Sequence, residues 1–362
     1  MSSPATQHLV LNPSKPLPPT RNAATKTNAP VPTALPDAKE IKVHPRGSNA
    51  GSENASLYFV GTATTILEWE GVRLMTDPNF LHAGDHVHLG PGVTSKRTTN
   101  PAVELEALPN IDVVLLSHYH EDHFDKRVED SLRRDLPIIT TPHAKSHLTS
   151  KTDPGENFTA VYELDTFSSM VTYIKSNSDP ETPADTTTTT NTKVKAIKVT
   201  AMPGKHVPPG VLGTLNDLLG AVPPTNGWML ELGTCLQPNN DSTFHSNYRI
   251  YISGDTLLVS ELQEIPSRYA GQKIDLMLIH LGGTTIPSPH VPMLMVTMDA
   301  KQGLELVRLI KPDVTIPIHF DDYDVFLSPL EDFKKAIAEA GLDEKVVYLD
   351  RGDEYKFCVE EG

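Results

Sequence analysis

The stretch "SHYHEDHFD", Ser117–Asp125, follows the apolar run "IDVVLL", Ile111–Leu116, and carries three histidines and three acidic residues in nine positions. An apolar run of this length is typical of a buried strand, so the polar stretch is predicted to be the loop at its end. Two interpretations are open: a solvated polar loop, or the ligand set of a metal site. Imidazole and carboxylate suit zinc, iron or manganese, and a short loop after a strand can turn several side chains inward together. We therefore favour the metal site.

Further candidate ligands also follow strand-like runs. One ion cannot conveniently take four ligands from a loop as tight as His118–His123, whereas two neighbouring ions can if each is completed from elsewhere. The competing interpretations are a helix-capping aspartate for Asp255, a core histidine for His319 and a simple turn for His206. The candidates are Asp77 after "VRLMT", His206 after "VKAIKVTAMPGK", Asp255 after "YRIYISG" and His319 after "VTIPI".

In this order, these positions resemble the five sequence motifs of the metallo-β-lactamase-fold hydrolases, over about residues 56 to 350. Within that superfamily, "SHYHEDHFD" and the simple "SGDT" motif look most like the branch of the L-ascorbate-6-phosphate lactonase and the N-acylphosphatidylethanolamine phospholipase D. The resemblance implies an α/β fold of four layers, an αββα sandwich. Asp77 matches the first motif, His118–His123 the second, His206 the third, Asp255 the fourth and His319 the fifth.

The resemblance also implies a role for each of these residues. It assigns two divalent metal ions to the site, with zinc the first choice and manganese or iron the alternatives. Asp77 would orient the histidine loop through hydrogen bonds without binding metal. Asp122, Asp255 and His206 are expected to take part directly in catalysis. One ion would be held by His118, His120 and His206, and the other by Asp122, His123 and His319, with Asp255 bridging the two.

The rest of the pattern fits two sheets covered by helices. Strand-like runs begin after residue 55 as a β-meander, and later runs, ending with "KVVYL" at Lys345–Leu349, alternate with helical patterns. A doubly wound parallel sheet would not begin with so many consecutive strands. Helices are predicted within "DKRVEDSLRRDL", "LLVSELQEI", "TMDAKQGLELVRLI" and "PLEDFKKAIAEAG". Thr297 or Asp299 can cap the third of these, and Gly341 can end the fourth.

Two low-complexity segments offer few residues to bury. Residues 1–50 are rich in Pro, Thr, Ala, Asn and Ser and are predicted to form a disordered or surface-draped arm. At about residues 176–192, "SNSDPETPADTTTTTNT" interrupts two strand-like runs and is predicted to be an inserted surface loop. Residues 51–362 are therefore predicted to form a single catalytic domain that contains this insert.

The composition restricts the partners of the protein. Its formal net charge of −15 argues against nucleic acid as a partner, because phosphate binding needs a basic face. No apolar run reaches the length of a membrane span, so stable membrane insertion is not expected. The first residues lack the apolar core of a signal peptide, and a cytoplasmic location is expected. Cys235 and Cys358 are too few and too far apart for a disulfide framework.

The segment "FLHAGDHVHLG" is a candidate wall of a substrate pocket on the polar side. It places His82, His86 and His88 in one loop soon after Asp77. Substrate contact, proton transfer or a third metal are the functional alternatives to a plain pocket wall. His280, at the end of "IDLMLIH", is predicted to lie behind the metal ligands or beside the pocket, with packing in the core as the alternative.

The segment "VPPGVLGTLNDLLGAVPP" is the apolar counterpart, and it supplies Leu215 and Leu218. A lid or an apolar pocket wall above the metals is one interpretation. A short buried helix, or a contact between copies in a homo-oligomer, is the other.

Together these features predict a metal-dependent hydrolase that acts on a small molecule. Two metals would lower the pKa of a shared water, and the hydroxide would attack a carbonyl or a phosphorus. We expect opening of a lactone, lactam or ester of a partly hydrophobic molecule, because few cations near the motifs, mainly Lys205 and Arg97, could bind phosphate. One alternative is a phosphodiesterase of the N-acylphosphatidylethanolamine phospholipase D type. An alternative of another class is a non-catalytic or redox metal-binding protein on the same fold.

Overall fold

Two large sheets organise the strands of the protein. The computed structural model describes residues 8–21, 32–47, 51–90, 93–175, 193–207, 222–236, 243–288 and 291–361, with the backbone alone at 286–288 and 291–294. The strands are β1 His8–Leu11, β2 Ile41–Lys42, β3 Ala55–Gly61, β4 Thr64–Trp69, β5 Val72–Thr76, β6 His86–Gly90, β7 Val93–Lys96, β8 Val113–Leu115, β9 Ile138–Thr140, β10 Val161–Glu163, β11 Ser169–Ile174, β12 Val194–Pro203, β13 Asn226–Cys235, β14 Phe244–Ile252, β15 Leu276–His280, β16 Thr285–Ser288, β17 Val291–Met295, β18 Val314–Ile318 and β19 Glu354–Phe357.

Helices fall between the later strands, as the alternating pattern predicts. The α-helices are α1 Lys126–Ser131, α2 Pro142–Thr149, α3 Glu264–Arg268, α4 Ala300–Ile310 and α5 Leu330–Glu339, and short 3₁₀ turns occupy Leu105–Ala107, Ser260–Gln263 and Asp343–Lys345. Among the described residues, no helix combines the length and the apolar character needed to cross a bilayer.

One sheet has the strand order β1-β11-β12-β13-β14-β15-β18, and the other has the order β10-β9-β8-β5-β4-β3-β19-β2. The meander β3-β4-β5 is antiparallel, whereas β5, β8 and β9 are parallel, as are β14, β15 and β18. Two small antiparallel hairpins, β6-β7 and β16-β17, stand apart from the large sheets. The parallel strands matter for the site, because their carboxyl ends share one edge.

Four layers result from the way the apolar side chains are buried. Side chains from both sheets, such as Trp69, form one core between them. Helices α4 and α5 cover the outer face of the seven-stranded sheet through Leu306 and Phe333. Helices α1 and α2 cover the eight-stranded sheet through Val128 and Leu148. The predicted αββα sandwich is confirmed.

The boundaries of α4 and α5 follow the predicted signals. Asp299 caps α4, since its side chain accepts a hydrogen bond from the backbone N–H of Gln302 at 2.8 Å. Thr297 has a different partner, described below. Gly341 follows α5 with a φ of 65°, a left-handed conformation that glycine adopts without steric cost.

The N-terminal arm is draped over both sheets and supplies an edge strand to each. Strand β1 pairs in parallel with β11, and β2 pairs in parallel with β19. Leu9 and Leu11 are buried in the core between the sheets. The expectation that the arm has little to bury is wrong for these two leucines.

The arm also explains why α1 is shorter than predicted. The backbone N–H of Arg21 donates to Ser131, and that of Arg133 donates to Pro19. The chain leaves the helix at Leu132 to make this pairing, so the helical pattern of "DKRVEDSLRRDL" is overridden by tertiary hydrogen bonds.

Near the C-terminus, the prediction of a strand at "KVVYL" is wrong. This segment makes one isolated bridge, between Val346 and Thr315, while the following strand is β19. The insert at 176–192 lies outside the described residues, and the strands that flank it, β11 and β12, are antiparallel neighbours. Cys235 and Cys358 are not joined by a disulfide bond.

Candidate metal centre

The candidate ligands meet at one edge of the sandwich because both sheets send the carboxyl ends of their strands there. The eight-stranded sheet contributes Asp77 after β5 and the loop His118–His123 after β8. The seven-stranded sheet contributes His206, Asp255 and His319 after β12, β14 and β18. Strands that run in the same direction end at the same edge, so these residues converge although they lie far apart in sequence.

Two groups of side chains face one another at this edge, and a third, Asp77 with His123 and His280, lies behind the second; the ligand atoms within each group lie within 4.8 Å of one another. Almost all of these side chains are buried; His120, whose side chain is 12% exposed, lies nearest the solvent. The first group is His118, His120 and His206, and the second is Asp122, His123, Asp255 and His319.

Asp255 lies between the two groups. Its Oδ2 is 3.5 Å from Nε2 of His206 in the first group and 3.2 Å from Nε2 of His123 in the second. Thr297 donates a hydrogen bond to the same oxygen at 3.3 Å. Gly254, just before it, has a φ of 61°, and an added Cβ would lie 2.5 Å from the carbonyl of Asn226. Glycine is therefore needed to place Asp255 in this tight turn.

Backbone carbonyls orient two of the histidines. Nδ1 of His206 lies 2.5 Å from the carbonyl oxygen of Val296, and Nδ1 of His319 lies 3.0 Å from that of Leu281. A carbonyl can only accept, so Nδ1 carries the proton in each ring and Nε2 presents its lone pair to the site. His319 also has a φ of 60°, a conformation that is uncommon for a non-glycine residue and clusters at functional sites.

Asp77 orients the histidine loop from behind. Its Oδ1 accepts a hydrogen bond from the backbone N–H of Ser117 at 2.7 Å, and its Oδ2 lies 3.2 Å from Nδ1 of His123. The hydroxyl of Ser117 lies 2.8 Å from Nδ1 of His118. These contacts leave Nε2 of both rings facing the other candidate ligands.

The inward-facing atoms of the centre have no hydrogen-bond partner within the described part of the chain. Leaving so many buried polar atoms unpaired would cost about 1–3 kcal/mol for each. Metal ions would satisfy all of them except one ring nitrogen of His120, and imidazole with carboxylate is a donor set for zinc, iron or manganese. The atoms are Nε2 of His118, His123, His206 and His319, both ring nitrogens of His120, Oδ1 of Asp122 and Oδ1 of Asp255.

The ionised carboxylates of the centre also favour binding of a cation. Burial lowers the pKa of His118 well below its usual value, which leaves a neutral imidazole. Burial opposes ionisation of Asp255, but the neighbouring His319 and His123 hold its pKa well below the usual range. Burial likewise opposes charging of His123, but Asp255 and Asp122 raise its pKa well above the usual value. The negative charges of Asp122 and Asp255 are therefore balanced by protons on neighbouring histidines. Bound metal ions would displace those protons.

His280 lies in the core behind the candidate ligands and not at a pocket wall. It is fully buried at the end of β15, with its backbone N–H donating to the hydroxyl of Ser253 at 2.9 Å. Its Nε2 lies 3.8 Å from Oδ2 of Asp77, and its ring centroid is 6.0 Å from that of His123. His280 is therefore buried directly behind the ligand candidate His123, in a group with Asp77.

His82, His86 and His88 lie on the surface beside the centre. His82 Nε2 lies 2.7 Å from a carboxylate oxygen of Glu104, and the other two occupy the exposed face of β6. The backbone N–H of His88 donates to Glu121 at 2.7 Å, which joins the β6-β7 hairpin to the histidine loop. Within the described residues, none of the three belongs to a group of three or more potential metal ligands. Leu215 and Leu218 lie outside the described residues.

Sequence reasoning missed a buried network beneath the centre. The guanidinium of Arg97 donates to the side-chain oxygen of Asn79 and lies 3.4 Å from Asp322. The amide of Asn79 donates to the carbonyl of Glu121 at 3.0 Å and to the hydroxyl of Tyr323 at 2.8 Å. Arg97 is fully buried, so its predicted availability for a substrate phosphate is wrong. Its role is to support the histidine loop.

Comparison with known families agrees with this architecture. A family model described as "Beta-lactamase superfamily domain" matches residues 73–320. A UPF0173 metal-dependent hydrolase of Archaeoglobus fulgidus is 25% identical over 246 residues, which cover 68% of this chain and 82% of that protein. Another, of Polynucleobacter asymbioticus, is 25% identical over 279 residues, which cover 76% of this chain and 80% of that protein.

Solved structures show the same fold. The isothiocyanate hydrolase from Delia radicum gut bacteria aligns with a TM-score of 0.60 and 18% identity, over 84% of this chain and 100% of that one. A possible metal-dependent hydrolase from Veillonella parvula aligns with a TM-score of 0.59 and 16% identity, over the same shares.

Proposed function

This chain belongs to the β-lactamase superfamily, and on that basis we propose that it is a metal-dependent hydrolase with a binuclear centre. We further propose that its substrate is a lactone, lactam or ester of a small, partly hydrophobic molecule. Zinc is the first choice of metal, because most of the candidate ligands are imidazoles.

One observation carries the proposal: buried side chains from both sheets present unpartnered ligand atoms to a common space. A solvated loop would leave these groups exposed to water, and a structural core would pair them with one another. Here the groups are buried, and the ion-pair contacts among them, such as His123 with Asp255, leave most of the inward-facing atoms without a hydrogen bond, which is what a metal site requires.

The two groups divide the ligands between two ions, as the sequence resemblance implies. His118, His120 and His206 would hold one ion, while Asp122, His123 and His319 would hold the other. Asp255 would bridge them, because its Oδ2 lies within 3.5 Å of ligand nitrogens from both groups. When bound, such a pair of ions supplies a Lewis acid and a water acidic enough to react near neutral pH.

The chain's own residues contribute orientation and access. Asp77, Val296 and Leu281 fix the rings so that Nε2 faces inward, which keeps the ligands in place without rearrangement on binding. His120 is the ligand candidate nearest the solvent, so we place the substrate entrance on its side.

Apolar surface beside the centre favours a substrate with a hydrophobic portion. Phe326 is partly exposed, and its ring centroid is 4.6 Å from that of His319. It packs with Tyr323 and the partly buried Leu81 against the base of the β6-β7 hairpin. A ligand held against the second group would meet this wall.

The nearby cations favour a carbonyl over a phosphate. Arg97 is buried with Asp322 and Asn79, and the ammonium of Lys205 is bound by Glu261. Neither is placed as a clamp for an anionic group. Lactone or ester opening therefore ranks above phosphodiester cleavage, and the lactonase side of the resembled branch is the better guide.

The test combines metal analysis with a substrate panel. Protein purified after expression with ample zinc should contain at least about two ions per chain, and it should turn over lactones, lactams or esters faster than phosphodiesters of similar size. Protein that stays metal-free would contradict the binuclear centre. Activity confined to phosphodiesters would contradict the substrate class and leave the centre intact.

A further inference from the structure

Helix α2 carries two histidines that do not belong to the candidate metal centre. His143 and His147 are one helical turn apart, so their side chains share one face of the helix. Their Nε2 atoms are 3.3 Å apart, and their ring centroids are 4.6 Å apart. His143 is half-buried and His147 is exposed, so the pair is open to solvent on one side.

The distance between the two nitrogens matches the spacing of two ligands that bind the same metal ion. A zinc–nitrogen bond of about 2.0–2.1 Å and a tetrahedral angle place two ligand nitrogens about 3.3 Å apart. A hydrogen bond between two imidazoles is the alternative, but N–H donors usually lie about 2.9–3.0 Å from their acceptors. The observed separation of 3.3 Å allows a hydrogen bond between the neutral rings and also has the spacing that bidentate chelation needs.

The ring of His147 is held in place by its neighbours. It stacks on Tyr119 with centroids 4.9 Å apart and an interplanar angle of 8°. Tyr119 is fixed in turn, because its hydroxyl donates to Glu129 at 2.7 Å and accepts from Lys151 at 3.0 Å. A ring that is already immobilised loses little entropy when it binds an ion.

The ring of His143 is free to present a lone pair. Within the described part of the chain its Nδ1 has no hydrogen-bond partner, so no contact dictates which nitrogen carries the proton. Burial and the nearby His147 lower the pKa of His143 below its usual value, so the ring is neutral near pH 7, as metal binding requires.

We propose that His143 and His147 form an accessory binding site for one late divalent transition-metal ion, such as zinc, nickel or copper. Two imidazoles select these ions over calcium and magnesium, which prefer oxygen ligands. The remaining coordination positions are open to water. This site does not depend on the proposed hydrolase, since it shares no residue with the metal centre.

Histidine footprinting of the metal-replete full-length protein tests the site. The protein is labelled with diethyl pyrocarbonate over a zinc titration, and peptides are quantified by mass spectrometry. We expect zinc to protect His147, while the exposed His245 on β14 stays fully reactive. His143→Ala and His143→Gln should each raise the half-protecting zinc concentration for His147 by at least about tenfold, the scale on which metal affinity responds to lost ligand support. The matched control His245→Ala should leave it unchanged.

Two outcomes would overturn the proposal. One is that zinc gives His147 no more protection than His245. The other is that protection of His147 persists unchanged in both His143 variants, which would mean that His147 binds zinc without His143. Circular dichroism of the variants separates a lost site from a misfolded helix, and the glutamine variant keeps the size and polarity of the position. Because the readout is labelling and not turnover, failure of this site is distinguishable from failure of the proposed hydrolase.

Discussion

The carboxylate of Asp77 touches His123 on the face that points away from the candidate metal centre. Its Oδ2 lies 3.2 Å from Nδ1 of the ring, while Nε2 of the same ring lies 3.2 Å from Asp255. The other oxygen of Asp77 accepts from the backbone N–H of Ser117. A single carboxylate thus fixes both the start of the histidine loop and the ring direction of one of its ligands.

Replacing Asp77 by Asn should reduce metal occupancy and turnover by about 10–100-fold, the usual effect of losing a group that orients a metal ligand. The amide has only one oxygen, so either Ser117 or His123 would face an NH₂ group. Chelator competition measures the metal affinity, and steady-state kinetics measure the turnover. The exposed carboxylate Asp135, paired with Arg133 on the surface, supplies the control Asp135→Asn. Unchanged affinity in Asp77→Asn would contradict the orienting role.

The two ligand groups should be separable by mutation. The double variant His118→Ala with His120→Ala should lose one of the two ions, and His319→Ala should lose the other, with turnover abolished in both. Elemental analysis of the folded variants measures this, with His245→Ala as the control. A double variant that keeps both ions and full activity would rule out the proposed assignment.

Phe326 should influence affinity for substrates with an apolar group. Its truncation to Ala removes the aromatic contact beside His319, and burial of an aromatic ring is worth about 1.5–3 kcal/mol when complete. KM for an alkyl-substituted lactone or ester should rise by about tenfold, with little change for an unsubstituted one. The neighbour Leu327, 44% exposed, gives the control Leu327→Ala. Equal effects of Phe326→Ala on both substrates would show that it does not form the apolar wall.

The N-terminal strand should contribute to stability through alternate residues. Leu9 and Leu11 are buried, whereas Val10 between them is 61% exposed. Leu9→Ser or Leu11→Ser should lower the free energy of unfolding by about 2 kcal/mol, and Val10→Ser by less than about 0.5 kcal/mol. Urea denaturation measures the difference. Equal costs at all three positions would contradict the pairing of β1.

The buried Asp322 should stabilise the protein in a pH-dependent way. Burial opposes its ionisation, but Arg351 and Arg97 hold its pKa below the usual value. A carboxyl with a depressed pKa in the folded state contributes stability above its unfolded pKa, about 3.9, and loses it as the pH falls through the folded value.

Asp322→Asn should therefore cost about 3–5 kcal/mol at pH 7, because it leaves Arg97 buried without its counter-charge. The difference from the unmodified protein should stay constant between pH 8 and 5 and shrink below about pH 4. Urea titrations across this range measure it. Asp321→Asn is the matched control, since that carboxylate also binds Arg351 but is 43% exposed. A difference that grows as the pH falls would have the wrong sign for this pair.

Much of the centre could be predicted because its chemistry is local. His118, His120, Asp122 and His123 are spaced by covalent geometry on one loop, and the run before them predicts a buried strand. The remaining ligands each follow a strand of their own, and strands that run in parallel end at a common edge. That reasoning reached His206, Asp255 and His319 without any knowledge of which strands are neighbours.

Other features depend on contacts that no local pattern encodes. Arg97 is 18 residues from Asn79 and 225 from Asp322, and only docking of the two sheets makes them a buried network. The position of His280 behind His123 was likewise one of several open alternatives, because a histidine at a strand end looks the same whether it lies behind a ligand, faces a pocket or packs in the core.

By itself the sequence determined the layered α/β class, the histidine loop and the identities of the candidate ligands, since these follow from hydrophobic periodicity and short-range spacing. Only the tertiary structure decided the edge strands of the N-terminal arm, the early end of α1, the absence of a strand at "KVVYL" and the groups that orient each ligand. Long-range backbone pairing and burial override local propensity at those positions, because a buried polar group must find a partner wherever the fold provides one.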